Sequence, residues 1–300
     1  NQHNSSYLLR FTYESIKKTA INDIYLPEIK LDSKIIPTTN IQESINSSDI
    51  IFEAIPAQYL KQTLLPVAEL LDDKIVCVLT KGIETDSLYL PSKVIENIVK
   101  QKNGSLSKFK TVIISGPSFA RDIALLSPTG LTLSSNDKHA LELVSNVLPG
   151  VYLELTDDTM GVQVSGAVKN VIALGVGILD GAGFLDNTKA LFFYRSLDEI
   201  KTLIKHFGGK PESVYLLSGI GDLVLTAFMS QGRNKRIGFD IGRGKKICDI
   251  LNQVDFVPEG ANTLKSINEL IEKNNLDLPI CQAIYNIVYN TLLYLKSSRE

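Results

Sequence analysis

Lys169 carries a charge into an apolar setting: on a helix its near neighbours are Val162, Ser165, Gly166, Ile172, Ala173 and Val176, all apolar or small. An ammonium so placed is buried, partnered or turned toward a cavity. Desolvation lowers a lysine's pKa and fits it for proton transfer near neutral pH. The plainer alternatives are a head group that snorkels to water, or one that satisfies a buried carboxylate. A carboxylate suited to that second role lies in Ser218-Gly-Ile-Gly-Asp-Leu-Val-Leu-Thr226, where Asp222 follows a glycine turn and opens an apolar helical run. It either caps that helix or holds a lysine or a substrate hydroxyl. In Gln231-Gly-Arg-Asn-Lys-Arg236, Gly232, Arg233 and Asn234 stand at a helix start. Free N–H groups, a guanidinium fork and an amide together suit a phosphate; a solvated basic face is the alternative. Lys81, in Lys81-Gly-Ile-Glu84, and Ser118, in Gly116-Pro-Ser-Phe-Ala120, each follow an apolar run. Ligands of open α/β sheets bind just outside strand carboxyl ends, although turns are rich in Gly, Pro and Ser for their own reasons.

The elements that must position these residues fall into two groups. Apolar runs at 49–55, 74–79, 111–114, 130–133 and 151–155 read as strands. Helical spacing appears at 57–71, where Pro66 kinks or restarts the helix, and at 137–147. Strands alternating with helices predict an α/β domain over 1–155, its sheet mainly parallel and covered on both faces. Thr156-Asp-Asp-Thr159 supplies a helix N-cap. From there the pattern predicts helices only, at 159–182, 187–207, 211–217, 220–229, 233–243, 246–252, 260–274 and 279–296. Residues 156–300 therefore read as an all-α domain.

Bulk properties exclude several function classes. The 300 residues are 44% hydrophobic and 21% charged with a formal net charge of −2, so the basic excess of a nucleic-acid binder is missing. Cys77, Cys248 and Cys281 are widely spaced and read as thiols of a reducing compartment. Three histidines are too few for a multi-histidine metal site, and no metal is expected. The apolar stretch 160–184 is broken by Lys169, Asn170 and several glycines, which argues against a membrane span. A dinucleotide domain ordinarily opens with G-x-G-x-x-G after its first strand, yet the first glycine here is Gly82. Either this is no dinucleotide domain, or the chain is entered partway through one.

In order, Tyr25-Leu-Pro27, Lys81-Gly-Ile-Glu84, Gly116-Pro-Ser-Phe-Ala120, Gly166-Ala-Val-Lys-Asn170, Asp186-Asn-Thr-Lys189, Gly219-Ile-Gly-Asp-Leu-Val-Leu-Thr226, Gly232-Arg-Asn234 and Pro258-Glu-Gly260 resemble the soluble NAD(P)-dependent glycerol-3-phosphate dehydrogenase family. Each motif alone is weak, but the ordered series spans nearly the whole chain. Gly232 resembles the eukaryotic type, since bacterial-type members often have Ser there. The Gly116 and Gly219 motifs resemble the bacterial and plastid type. Aligned by motif order, roughly thirty residues of a Rossmann-like domain are expected to be lacking, the first strand and its glycine loop among them.

The resemblance implies an oxidoreductase that interconverts dihydroxyacetone phosphate and sn-glycerol 3-phosphate with NAD or NADP. Lys169 would exchange a proton with the carbonyl oxygen, Lys81 would contact substrate and cofactor, and Asp222 would pair with the lysines and substrate hydroxyls. Gly116, Ser118, Gly232, Arg233 and Asn234 would hold the substrate and its phosphate. Tyr25, Lys81, Ala120, Arg233, Val257 and Glu259 would lie near the cofactor. A homodimer in the cytoplasm is implied, with an organelle as the alternative address. Two competing readings are a non-catalytic remnant and a related lysine-using hydroxy-acid dehydrogenase, although the Gly-Arg-Asn motif suits a phosphate better than a carboxylate substrate.

Overall fold

A computed structural model describes residues 13–106, 108–229, 232–253 and 258–290. A hairpin of β1 (Ile21–Asn22) and β2 (Leu26–Lys30) precedes α1 (Ile41–Asn46). The sheet then begins with β3 (Ile50–Glu53), α2 (Ala57–Leu64), β4 (Ile75–Val78), α3 (Pro91–Asn103) and β5 (Lys110–Ser115). It continues through α4 (Ala120–Ala124), β6 (Gly130–Ser134), α5 (Lys138–Asn146) and β7 (Tyr152–Thr156). Its order is β3-β4-β5-β6-β7, parallel except between β5 and β6. The mainly parallel sheet expected from the sequence is thus present.

Alternation along the central strands explains the two covering layers. Val76, Val78 and Ile113 face a cluster with Leu60, Leu71 and Ile95 from α2, α3 and the turn between them. Cys77, Val112 and Ile114 point the other way, onto Leu133, Ala140 and Val144. Side chains one residue apart on a strand point to opposite faces, so both faces of β4 and β5 must be apolar. Pro66 restarts the helix: α2 ends at Leu64, and the chain tightens into a 3₁₀ segment over Leu65–Leu71, where a residue without an N–H fits the opening turn. The first reading leaves out the hairpin, α1, α3 and α4. Yet α3 carries ordinary signals, with Pro91 at its start and Gly104 in the left-handed region (φ 76°) after its end.

Helices make up the described residues beyond β7. They are α6 (Thr159–Gly181), α7 (Asp186–His206), α8 (Asp222–Phe228), α9 (Arg233–Gly242), α10 (Ile247–Leu251), α11 (Glu259–Asn274) and α12 (Pro279–Tyr289). Two expected helices differ in kind: 211–217 is a 3₁₀ segment, Pro211–Tyr215, and 220–229 opens as a π turn, Leu217–Gly221. By length and composition α6 could cross a membrane, but its apolar window is 94% buried inside the protein. It is the core helix, hydrophobic all round because neighbours surround it. Val168, Ile172 and Leu174 pack in one cluster with Ile200, Leu203, Leu223 and Leu264.

Asp158 anchors that core helix. Its Oδ1 accepts from the Gly161 N–H at 3.0 Å, and its Oδ2 accepts from the Lys210 N–H at 2.8 Å and the Ser213 hydroxyl at 2.5 Å. Asp158 is buried, so water cannot replace it as acceptor. Asp158→Ala removes a helix cap and orphans two further donors, and is expected to lower the unfolding free energy by about 3 kcal/mol. Urea unfolding tests this; Asp158→Asn, which keeps one acceptor, should recover part of the loss.

Candidate active site

Lys81 leaves the carboxyl end of β4, and Lys169 lies mid-way along α6. Gly82 (φ 146°) and Gly116 (φ 151°) turn the chain after β4 and β5 in a region closed to other residues. A Cβ at Gly116 would also stand 2.9 Å from the Gly130 carbonyl oxygen. Gly166, one turn before Lys169, has a different task. A Cβ there would lie 3.6 Å from Cγ of Lys81 and 2.9 Å from Oγ of Ser115, so its bareness lets the Lys81 stem pass close over α6.

Both ammonium groups converge on Asp222. Lys169 Nζ donates to Oδ1 at 2.5 Å, and Lys81 Nζ donates to Oδ2 at 2.6 Å. Asp222 is 1% exposed and Lys169 is 8% exposed. Lys169 also donates to the Thr226 hydroxyl at 3.0 Å, while that hydroxyl donates to the Asp222 carbonyl at 2.7 Å. Burial, then the Lys81 cation, lowers the Lys169 pKa to about 7 against the pull of Asp222.

The turn that delivers Asp222 is fastened to the sheet. Thr132 Oγ1 on β6 accepts from the Ser218 N–H at 2.9 Å, and Glu154 Oε2 on β7 accepts from the Leu217 N–H at 2.8 Å. Thr132 in turn donates to Glu154 at 2.9 Å. A Cβ at Gly219 would stand 2.1 Å from the Val214 carbonyl oxygen, so the π turn closes only around glycine.

Arg233 and Asn234 open α9, and buried Gly232 precedes them. Asn234 Oδ1 accepts from the Gly260 N–H at 3.1 Å, which leaves the amide NH₂ to act as a donor. Glu259 opens α11, and its Oε2 accepts from Asn170 at 3.4 Å. Burial raises the Glu259 pKa while the charges of Arg233, Lys81 and Lys169 oppose the rise. Ser118 Oγ donates to the Gly116 carbonyl at 3.0 Å. Tyr25 is exposed on the β1–β2 turn, and Ala120 opens α4, which packs against β2. Neither is hydrogen-bonded to the lysine pair. Val257 lies outside the described residues.

Sequence reasoning missed Thr226, Asn170 and Glu154 as individual residues. Thr226 was within reach, since its place four after Asp222 puts it one helical turn on. Glu154 reads only as an outward position on a strand.

Comparisons with known proteins identify the family. Residues 9–141 match the NAD-dependent glycerol-3-phosphate dehydrogenase N-terminus, and residues 158–296 match the corresponding C-terminus. Glycerol-3-phosphate dehydrogenase (NAD(P)+) of Lactobacillus helveticus is 36% identical over 92% of this chain and 82% of its own length. That of Staphylococcus haemolyticus is 34% identical over 89% of this chain and 80% of its own. The crystal structure of glycerol-3-phosphate dehydrogenase from Coxiella burnetii has a TM-score of 0.85 at 27% identity, covering 94% of this chain and 85% of that one. The family models and these relatives cover nearly the whole chain, and the chain belongs to the NAD-dependent glycerol-3-phosphate dehydrogenase family.

Proposed function

We propose that this protein interconverts dihydroxyacetone phosphate and sn-glycerol 3-phosphate with NAD(P), and that Lys169 exchanges the proton with the substrate oxygen. One observation carries the assignment of roles. Of the three N–H bonds on the Lys169 ammonium, one goes to Asp222 and one to Thr226 among the described residues. The third is left for a carbonyl oxygen.

The cofactor is supported by unsatisfied groups along the sheet. Among the described residues, Glu53 Oε2 at the end of β3 and Ser115 Oγ at the end of β5 are buried without hydrogen-bond partners. Lys81 follows β4, the strand between them. Such a row suits the amide and ribose of a nicotinamide dinucleotide. Glu53, Lys81, Ser115 and Glu259 would hold that end, with Tyr25, Ala120 and Val257 on the remaining side. Bound there, the reduced nicotinamide supplies the hydride.

The substrate's charge fits the cleft as well. Lys81, Lys169 and Arg233 bring three cations to a region whose carboxyls are Asp222 and Glu259, a balance that suits an anionic phosphate ester. Arg233 and the amide NH₂ of Asn234 would grip the phosphate, with Gly116, Ser118 and Gly232 shaping the pocket. In this reading residues 1–155 carry the dinucleotide and 156–300 the substrate, and the enzyme works as a cytoplasmic homodimer. The fork of donors at Arg233 and Asn234 favours a phosphate over the carboxylate of a hydroxy acid.

Lys169→Ala is expected to lower kcat for dihydroxyacetone phosphate reduction by about 10³-fold without loss of cooperative unfolding. Near-native turnover in that variant would sink the assignment.

The pH profiles should be mirror images. Reduction needs the protonated lysine, so its kcat/KM falls as pH rises through about 7; oxidation needs the neutral amine, so its kcat/KM rises through the same value. Removing the neighbouring cation in Lys81→Met moves both midpoints to higher pH, at a lower absolute rate. Profiles that stay in place would show that Lys169 is not the titrating group.

A further inference from the structure

Five residues beyond Arg233, α9 meets α6 backbone to backbone. A Cβ at Gly238 would stand 2.0 Å from the Leu174 carbonyl oxygen, and one at Gly242 would stand 2.2 Å from that of Ile178. From the other side, a Cβ at Gly177 would lie 2.1 Å from the Lys235 carbonyl oxygen, and one at Gly181 would lie 2.2 Å from that of Phe239. Carbon normally keeps about 3.5 Å from such neighbours. Two pairs of glycines, each four residues apart, thus let the helices touch with nothing between them. Gly177 meets residue 235 and Gly181 meets residue 239, so the helices run in the same direction. The start of α9 therefore lies beside the part of α6 just after Lys169.

An ion-pair bridge locks this contact at its far end. Asp180, in the last turn of α6, accepts from Lys189 of α7 with Oδ1 at 2.6 Å, and its Oδ2 lies 3.1 Å from Lys235 of α9. Lys189 also pairs with Asp186 at 2.7 Å. Lys235 is the residue after Asn234, in the same first turn of α9. Among the described residues, Asp180, Lys189 and Gly238 form no hydrogen bond or ion pair with Lys81, Lys169 or Asp222, and none of them has a role in the proposed reaction.

We propose that the glycine contact and the Asp180 bridge form a ruler that sets the reach from Lys169 to the Arg233–Asn234 grip. It makes the enzyme selective for a ketone whose phosphate lies at one fixed distance from the carbonyl. Asp180, Lys189 and the four glycines are positioning residues. The proposal rests on the reading of Arg233 and Asn234 as the phosphate grip. Gly238→Ala must push α9 outward by about 1 Å, and a misplacement of that size costs up to about 100-fold in rate. Asp180→Asn is the milder change: it loosens the bridge and leaves the helix contact in place.

The test measures kcat and KM for dihydroxyacetone phosphate and for unphosphorylated dihydroxyacetone at saturating NADH, together with the inhibition constant of inorganic phosphate. For Asp180→Asn we expect kcat for the phosphorylated ketone to fall about tenfold with a smaller change in KM. Turnover of dihydroxyacetone should stay unchanged, because it does not use the grip. Inhibition by inorganic phosphate should also stay within about twofold, because the grip moves as a unit. Gly238→Ala should go further in the same direction. A kcat for dihydroxyacetone phosphate that Asp180→Asn leaves intact overturns the ruler, as does an equal loss with both ketones. A wild-type enzyme without preference for the phosphorylated ketone overturns the grip and the ruler with it.

Discussion

One buried carboxylate holds this structure to its chemistry. Asp222 stands between two ammonium groups, Lys81 from the end of a sheet strand and Lys169 from the core helix. Without it two like charges would face each other away from water, a far costlier state than the bridged one. The clamp works only if three separate elements meet within a hydrogen bond's reach, and the surrounding sequence reads as provision for that meeting. Gly166 lets the Lys81 stem pass over α6, Gly219 closes the π turn, and Thr132 with Glu154 ties that turn to the sheet. The sheet and helices are therefore coupled by polar bonds as well as by packing. Gln163 of α6 adds another such bond, donating to Ser92 at the start of α3 at 3.0 Å.

Much of this was legible in the residues, and for identifiable reasons. Lys169 stood out because a charge in a run of valines, alanines and isoleucines is improbable without a task. The five sheet strands and the longest helices, α6, α7 and α11, followed from periodicity, which burial on one or both faces imposes, while the 13-residue α3 was passed over despite its ordinary signals. Short elements escaped, since α1 and the β1–β2 hairpin bury little and so leave little pattern. The π turn escaped because its reason lies 63 and 86 residues away in Glu154 and Thr132. A hydrogen bond between a strand and a distant loop leaves no periodic trace. The backbone contact of α6 and α9 is an intermediate case: Gly177, Gly181, Gly238 and Gly242 are visible as glycines four apart, but only the packed helices show that the two pairs face each other.

Glu53 marks the limit of what a motif series conveys. It ends β3, where the run of apolar residues predicts another apolar one. Its carboxyl is buried, and burial raises its pKa to about 7 against hydrogen bonds from Thr80 and Ile55. The Ile55 N–H donates to its Oε1 at 2.5 Å, and Oε2 is left over. A carboxyl in that state is about as readily neutral as charged at physiological pH, so it can either accept or donate toward a polar ligand.

The same electrostatics that lower the Lys169 pKa also couple it to the substrate. In the empty cleft, burial and the Lys81 cation disfavour its charged form. A phosphate dianion arriving at Arg233 and Asn234 adds negative charge to a site of low dielectric, which favours the ammonium. In the proposed reaction, binding the ketone phosphate would load the proton that reduction spends. A neutral ketone would bring no such charge and would leave the lysine near its titration midpoint. On that reading a phosphorylated substrate is favoured by proton supply as well as by the proposed grip, and the proton supply traces back to two lysines sharing a single aspartate.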